Sequence, residues 1–209
     1  DYNKLKKSIS NFSPDFIIHM AAQPLVRESY LDPKYTYEVN TLGTVNILNI
    51  LKEVNFIKSA LIITTDKVYF NDNNKEYFKE NDLLGVVDPY SNSKSCAELA
   101  VNSYNYSFFK EKKICVATAR AGNVIGGGDF SKDRIIPDYF RSILKKNRKL
   151  FMRSPNSIRP WQHVLEPLYG YLLLLMKLLA KKIKSGFDFN FGPKNSSNKS
   201  VDKVITLLN

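Results

Sequence analysis

Tyr90 and Lys94 are the residues whose types and spacing point most directly to chemistry, and both lie in the stretch DPYSNSKSCAEL. On a helix, a spacing of four residues places the two side chains on one face, one turn apart. A lysine ammonium favours the phenolate form of a neighbouring tyrosine, so Tyr90 could accept a proton near neutral pH. The spacing alone is equally compatible with a solvated helix face.

The elements around this pair alternate between apolar strands and amphipathic helices. The runs DFIIHM and ALIIT are continuously apolar, which is typical of strands covered on both faces, and ICVATA is predicted as a third strand. We predict strands at 15–20, 60–64, 114–119, 150–153 and 187–191. We predict helices ending near residue 13, at 33–54, 90–109, 134–147 and 163–182, and beginning near residue 200, with a loop at 69–88. This alternation indicates an α/β protein with a parallel sheet and helices on both faces.

A polar or glycine-rich cluster follows each of the first three strands: HMAAQ, TTDKVY and RAGNVIGGGD. In open parallel sheets, ligands bind beyond the carboxyl ends of the strands. We therefore expect these clusters to share a cleft with the Tyr90 helix; the residues concerned are Gln23, Thr65, Asp66, Lys67 and Asn123. Loops are polar in general, which explains the polarity but not so specific a set. The GGGD turn at 126–129 lacks the flanking residues of a phosphate-binding loop and is interpreted as a connection.

Composition limits the class of protein. The 209 residues are 44% hydrophobic and 24% charged, as in globular chains. The net charge of +11 comes from dispersed lysines, which favours anionic small molecules over nucleic acid. Cys96 and Cys115 have no metal-site spacing, so we expect no metal and a reducing compartment, the cytoplasm. The apolar run YGYLLLLMKLLA is shorter than the roughly twenty residues that span a bilayer, which predicts a buried helix and no membrane partner.

Six motifs occur in a fixed order: HMAAQPLVRESY, VNTLGTVNIL, TTDKVY, DPYSNSK, ARAGNVIGGGDF and IRPWQHVLEPL. Together they resemble the extended short-chain dehydrogenase/reductase superfamily, most closely its CDP-glucose 4,6-dehydratase branch, over nearly the whole chain. The resemblance implies a Rossmann-like, doubly wound parallel sheet, bound NAD, a nucleotide-sugar substrate and a role in bacterial deoxysugar and O-antigen synthesis. It also implies a homodimer formed through the Tyr90 helix and the helix that begins at Pro33.

By matching position, the resemblance assigns catalytic roles. Tyr90 would take the proton of the sugar 4-hydroxyl, Lys94 would bind the nicotinamide ribose, and Thr65 would hydrogen-bond the same sugar oxygen. Asp66 would protonate the departing 6-hydroxyl. Lys67 stands where the related dTDP-glucose dehydratases have Glu. As a neutral amine, favoured by burial or nearby cations, it could remove the proton at carbon 5; as a cation it could stabilise the enolate, or simply pair with Asp66.

Binding roles follow in the same way. Ala21, Ala22 and Gln23 match small residues and neighbours that let the backbone approach NAD, and Arg27 lies where the sugar pocket begins. Asn123 and Arg159 match positions that bind the substrate diphosphate, for which a guanidinium fork is suited. Asn40 either lies near the active site or faces solvent, while Trp161 and His163 are expected to pack or hydrogen-bond.

The resemblance also implies a glycine-rich N-terminal βαβ part that precedes the present residues in the family. We therefore expect a fragment cut at both ends, inactive alone and weak in NAD binding. Residues 1–122 would form a truncated NAD-binding Rossmann domain. Residues 123–209 would combine substrate-binding elements with a returning Rossmann strand and helix. Open alternatives are a UDP- or dTDP-linked dehydratase, an epimerase of the same superfamily, and a binding module without catalysis.

Overall fold

The computed structural model of the chain describes residues 1–71, 77–145, 149–183 and 186–208. The chain divides into two compact units. The first unit comprises Asp1–Ala121 and Tyr169–Asn190, and the second comprises Gly122–Leu168 and Phe191–Asn209.

The elements alternate as the sequence predicts. In chain order they are α1 (Tyr2–Phe12), β1 (Phe16–His19), α2 (Val26–Leu31), α3 (Pro33–Tyr37), a π-helix (Glu38–Leu42), α4 (Gly43–Glu53), β2 (Ser59–Ile63), a 3₁₀ helix (Asp66–Val68), α5 (Pro89–Tyr104), a second π-helix (Asn105–Phe109), α6 (Lys110–Lys112), β3 (Cys115–Ala121), β4 (Asn123–Ile125), α7 (Ile135–Leu144), β5 (Ile158–His163), α8 (Leu165–Leu179), β6 (Asp188–Phe191), a 3₁₀ helix (Asn195–Ser197), β7 (Asn198–Ser200) and α9 (Val201–Leu208).

The larger sheet has the strand order β1-β2-β3-β6. β1 pairs in parallel with β2, and β2 pairs in parallel with β3 in the register Ser59↔Cys115. The predicted α/β, Rossmann-like parallel sheet is therefore confirmed. The expectation that the first two strands are covered on both faces holds for β2 but is wrong for β1, which lies at the edge of the described sheet and whose Phe16 is 43% exposed.

The core of the first unit lies where α4 and α5 meet β2 and β3. Leu48, Leu51, Val101, Phe109 and Val116 form part of one cluster and are fully buried. Each such side chain contributes about 1.5–3 kcal/mol by leaving water. This packing fixes the helix that carries Tyr90 against the sheet.

Local signals in the sequence set where α5 begins. The Asp88 side chain accepts a hydrogen bond from Ser91 N at 2.9 Å, which caps the helix, and Pro89 occupies its first position. Proline suits that position because its missing N–H would have no partner inside the helix. Tyr90 is thus placed in the first turn of α5.

α8 departs from the expectation of a buried helix. Tyr171, Leu174 and Leu178 are buried, but Leu172 and Met176 are 54% and 66% exposed. The run is apolar on all sides, so its sequence does not distinguish the face that packs from the face that does not. No described helix is long and apolar enough to cross a membrane.

The second unit contains a mixed three-stranded sheet, β4-β5-β7, that the sequence did not predict. β4 pairs in parallel with β5, and β5 pairs antiparallel with β7. The strand predicted at 150–153 is wrong, because these residues form no strand in the described range 149–183. Residues 146–147 of the helix predicted at 134–147 and residues 72–76 of the predicted loop lie outside the described residues.

Candidate active site

Tyr90 and Lys94 both lie on the buried face of α5. Tyr90 is 9% exposed and Lys94 is 6% exposed, so the alternative of a solvated helix face is wrong. Tyr90 N donates a hydrogen bond to Ser29 Oγ at 3.1 Å, and Lys94 Nζ donates to Ile63 O at 3.1 Å. The lysine therefore reaches the carboxyl end of β2.

The charge of Lys94 is set by its surroundings. Burial lowers the pKa of Lys94 to about 8, and the Glu98 carboxylate one turn away acts in the opposite direction. His19, at the end of β1, has its pKa lowered to about 4, first by burial and then by the positive charge of Lys94. At pH 7 His19 is therefore neutral while Lys94 remains largely protonated.

The segment after β2 brings together Thr65, Asp66 and Lys67. Thr65 Oγ1 accepts from Lys67 N at 3.3 Å, which caps the 3₁₀ helix, and donates to Asp66 Oδ1 at 3.1 Å. Lys67 Nζ lies 3.1 Å from the same Asp66 oxygen, and the two side chains are 42% and 34% exposed. The ion pair considered from the sequence is present.

Asn40 is fully buried, so the alternative of a surface-facing asparagine is wrong. It sits in the π-helix, where Oδ1 accepts from Gln23 N at 2.8 Å and Nδ2 donates to Gln23 O at 3.1 Å and to Ser93 Oγ at 3.0 Å. Ser93 Oγ in turn donates to Tyr90 O at 2.6 Å. Asn40 therefore joins the loop after β1 to the first turns of α5.

The loop after β1 contains the residues expected to approach NAD. Ala21 is exposed and Ala22 is half-buried, while the side chain of Gln23 is buried. Gln23 Nε2 donates to Thr36 Oγ1 at 2.9 Å and to Leu25 O at 3.1 Å, so this amide shapes the loop itself. Arg27 is exposed in the first turn of α2.

These residues fit a dinucleotide in two respects. The small side chains of Ala21 and Ala22 leave the backbone open at the carboxyl end of the sheet. A lysine ammonium carries three donors, and within the described chain Lys94 Nζ directs one hydrogen bond, to Ile63 O. Its remaining N–H groups suit ribose hydroxyls.

Asn123 and Arg159 belong to the second unit, on adjacent strands of its sheet. Asn123 pairs with Trp161, and Arg159 is two residues before Trp161, so the pleat directs both side chains to one face. Asn123 Oδ1 is buried and has no hydrogen-bond partner among the described residues, and Arg159 is exposed. Trp161 Nε1 donates to Lys199 O at 2.9 Å, and His163 Nδ1 accepts from Leu165 N at 3.3 Å.

Sequence reasoning missed a buried ionic cluster one turn further along α5. Arg120 on β3 donates through Nε to both oxygens of Glu98 at 2.8 Å, and its Nη2 forms an ion pair with the same carboxylate. Arg120 Nη2 also lies 2.9 Å from Asp188 Oδ2, and Nη1 donates to Tyr69 OH at 2.7 Å. A charged residue inside the apolar run CVATARA was the available signal, because such a residue requires a buried partner.

Two other features lie outside the group of residues around Lys94. A cavity of about 720 Å³ opens at the amino ends of β3 and β6, where Cys115, Asp188, Lys181 and Gly186 contribute to its wall. Both cysteines are free, and no cluster of metal-binding side chains occurs among the described residues. The residues grouped around Lys94 lie instead at the carboxyl ends of the strands.

The chain resembles known proteins throughout its length. The family model described as GDP-mannose 4,6 dehydratase matches residues 1–203. CDP-glucose 4,6-dehydratase of Salmonella typhimurium is 47% identical over 216 residues, which cover 99% of this chain and 60% of that protein. Human dTDP-D-glucose 4,6-dehydratase is 29% identical over 85% of this chain and 47% of its own length. The chain thus spans about 60% or less of the length of these curated relatives.

Solved structures agree on the fold. A dTDP-glucose 4,6-dehydratase double mutant from Streptomyces venezuelae, with NAD and DAU bound, superposes with a TM-score of 0.84 at 20% identity, covering 100% of this chain and 60% of that one. The dTDP-glucose 4,6-dehydratase of Bacillus anthracis in complex with NAD gives a TM-score of 0.75 at 25% identity, covering 100% of this chain and 61% of that one.

Proposed function

Because the chain belongs to the family described as GDP-mannose 4,6 dehydratase, we propose that it forms part of an NAD-dependent nucleotide-sugar 4,6-dehydratase. The substrate we propose is CDP-glucose and the product CDP-4-keto-6-deoxyglucose, in bacterial deoxysugar and O-antigen synthesis. The observation that carries this proposal is the 47% identity to a CDP-glucose 4,6-dehydratase across 99% of the chain. The two free thiols suit a reducing compartment, and we propose the cytoplasm as the location.

The first step assigned to this chain is proton removal from the sugar 4-hydroxyl. Tyr90 is the proposed base, and the buried ammonium of Lys94 on the same helix face favours its phenolate. Thr65, which is 5% exposed at the carboxyl end of β2, would hydrogen-bond the same sugar oxygen. NAD, when bound, would accept a hydride from carbon 4 and later return one to carbon 6.

Elimination of water is the second step. The 4-keto group acidifies the hydrogen at carbon 5, and loss of that proton gives an enolate. Asp66, in its protonated form, would supply a proton to the departing 6-hydroxyl. We propose that a proton passes from the Lys67 ammonium to the Asp66 carboxylate across their 3.1 Å contact. The neutral Lys67 amine then takes the proton from carbon 5 and, once protonated, stabilises the enolate.

Binding roles complete the proposal. Lys94 would donate to the nicotinamide ribose, and Ala21, Ala22 and Gln23 would form the backbone against which NAD lies. Arg27 would begin the sugar pocket. Asn123 and Arg159 would bind the diphosphate through the Asn123 amide N–H groups and the Arg159 guanidinium, a role supported by their common face on the second sheet. Residues 123–209 would thus supply the substrate-binding elements.

The test uses the complete protein, including the sequence that its relatives have beyond the span matched here. The protein is incubated with CDP-glucose, dTDP-glucose, UDP-glucose and UDP-N-acetylglucosamine, and the 4-keto product is followed by its absorbance in base. CDP-glucose is expected to give the highest kcat/KM. A higher value for another nucleotide sugar would correct the substrate, and no 4-keto product with any of them would overturn the proposed reaction.

Lys67→Ala separates elimination from binding. The variant is expected to keep its affinity for the nucleotide sugar and to lose dehydration by about two orders of magnitude, as for one lost transition-state donor. Lys58→Ala, which breaks the exposed ion pair of Lys58 with Asp15, is the matched control. Unchanged turnover in Lys67→Ala would remove Lys67 from the mechanism.

A homodimer through α5 and the helices that follow Pro33 is the proposed assembly. Leu42 and Leu99, on these elements, are 54% and 58% exposed, and large apolar side chains in such positions suit a protein interface. Sedimentation of the complete protein is expected to give a dimer, and Leu99→Lys is expected to shift it toward monomer. A monomeric wild-type protein would refute this assembly.

A further inference from the structure

A buried carboxylate lies one helical turn beyond Lys94, and none of the roles above uses it. Glu98 is fully buried on α5 and four residues from Lys94, a spacing that places the two Cβ atoms about 5–6 Å apart on one face. Burying a carboxylate is costly unless it is paired, so its contacts should reveal what it does.

The position of the Glu98 carboxylate is fixed from two elements. Thr64 Oγ1, directly after β2, donates to Oε1 at 2.5 Å, and Arg120 Nε on β3 donates to both oxygens at 2.8 Å. Charge-assisted hydrogen bonds of this kind favour the ionised carboxylate. Burial raises the pKa of Glu98, while the hydrogen bonds and charge of Arg120 and the hydrogen bond of Thr64 act in the opposite direction. The carboxylate is held in an ion pair with Arg120, and strands rather than solvent set its place in the core.

The surrounding cluster carries an excess of negative charge. Arg120 is shared between Glu98 and Asp188, so one guanidinium faces two carboxylates. The sum is one negative charge, which equals in size the positive charge of Lys94. Four buried or largely buried ionisable groups are thus balanced only when Lys94 is protonated.

Other elements around Lys94 supply no comparable counter-charge. β1 contributes His19, which is neutral at pH 7, and β2 contributes the carbonyl of Ile63. α5 contributes Tyr90 and Glu98. Among the described residues no carboxylate forms an ion pair with Lys94, and Glu98 is the negative group that acts on it at short range.

We propose that Glu98 is a positioning residue for Lys94, whose fixed negative charge keeps the buried ammonium protonated, with Thr64 and Arg120 fixing the carboxylate where it has this effect. The consequence for catalysis rests on the proposed function, in which Lys94 must remain charged to favour the Tyr90 phenolate. The effect on the charge of Lys94 itself does not depend on that function.

The experiment is a pH titration of the complete protein with isotope-labelled lysine, followed by NMR, with the Lys94 signal assigned through Lys94→Met. The wild-type midpoint is expected near 8. In Glu98→Gln the midpoint is expected to fall by about one pH unit, because an opposite charge at this range is lost. The variant should fold, since Asp188 remains beside Arg120 at 2.9 Å and the glutamine oxygen can still accept from Thr64.

Asp188→Asn is the matched control. It removes the same charge from the same cluster but leaves Glu98 in place, so the Lys94 midpoint is expected to stay within a few tenths of a pH unit of the wild type, roughly the size of a screened, more distant charge. A purely structural role of the cluster would shift both variants alike. Equal midpoints in Glu98→Gln and wild type, or equal shifts in the two variants, would overturn the proposal.

Glu98→Asp is a second variant that keeps the charge and withdraws it by one methylene. Its midpoint is expected between those of Glu98→Gln and wild type. In an active enzyme the alkaline limb of kcat/KM should move to lower pH in Glu98→Gln and not in Asp188→Asn. Absence of turnover in the wild type would count against the proposed function, whereas the titration would still decide the role of Glu98.

Discussion

Glu98 and Lys94 are buried charged residues one turn apart on α5, and they differ in how fully their charged groups are hydrogen-bonded. At Glu98 the carboxylate receives three hydrogen bonds from Arg120 and one from Thr64. At Lys94 the ammonium has a hydrogen bond to the Ile63 carbonyl, and its pKa is lowered to about 8 by burial. The first region is matched in hydrogen bonds, because both oxygens of Glu98 have donors, while the second is held at an energetic disadvantage that suits a catalytic group.

The largest effect on stability is expected from breaking the matched region. Arg120→Met leaves Glu98 and Asp188 buried without their shared counter-ion, so the free energy of unfolding should fall by about 4–5 kcal/mol. Urea denaturation measures this. Lys58→Met, which breaks an exposed pair, should change the same quantity by less than about 1 kcal/mol. Similar losses in both variants would mean that the buried cluster contributes no more to stability than an exposed ion pair.

Tyr90→Phe should affect activity strongly and stability little, the reverse of Arg120→Met. Loss of the phenol is expected to lower kcat by about three orders of magnitude, as for removal of a general base, while the free energy of unfolding changes by less than about 1 kcal/mol. Steady-state kinetics and urea denaturation are compared. Tyr106→Phe, at a position that is 88% exposed, is the control. A kcat within tenfold of the wild type would exclude Tyr90 as the base.

Lys94→Met tests the cost of burying the Lys94 ammonium through the pH dependence of stability. The pKa of Lys94 is about 8 in the folded chain and about 10.4 unfolded, so its ammonium destabilises the fold below pH 8, and this cost disappears as pH rises to about 10.4. The stability of the variant relative to wild type should therefore fall by about 3 kcal/mol between pH 7 and pH 10.5. Denaturation curves at the two pH values measure the change, and a constant difference would contradict it.

The smallest effect on stability is expected at Asn40, which joins the loop after β1 to the first turns of α5. Asn40→Ala removes the partners of Gln23 N and O, so the free energy of unfolding should fall by about 1–3 kcal/mol. Asn49→Ala, which loses contacts to Tyr2 and Glu53 at a more exposed position, should change it by about 0.5 kcal/mol or less. Equal losses would show that the buried amide adds nothing beyond an ordinary contact.

The sequence was informative where a pattern is local. β2 and β3 follow from continuous apolar runs, and the start of α5 follows from Asp88 and Pro89. The second sheet was missed because Pro160 lies within β5, and a proline in the sequence argues against a central strand. Here β5 pairs with β7 through 158–160 and with β4 through 161–163, so the missing N–H of Pro160 does not face β4.

Long-range contacts explain what else could not be predicted for the site. Glu98 and Arg120 are separated by 22 residues, and Arg120 and Asp188 meet across the sheet between β3 and β6. No helical or strand period relates such positions. Similarly, the sequence shows that residue 40 is an asparagine, but its burial depends on a π-helix that residue propensities do not predict.

That π-helix, Glu38–Leu42, makes the site depend on chain length as well as on side-chain chemistry. A π-turn contains one residue more than an α-turn, and such insertions are frequent at functional sites. Removing one residue between Glu38 and Leu42 would let this turn close as an α-turn, with the flanking helices nearly unchanged, and would alter which side chain the turn directs inward. Asn40 could then no longer face both Gln23 and Ser93. Single-residue deletions therefore probe a part of this site that substitution scans of constant length leave untouched.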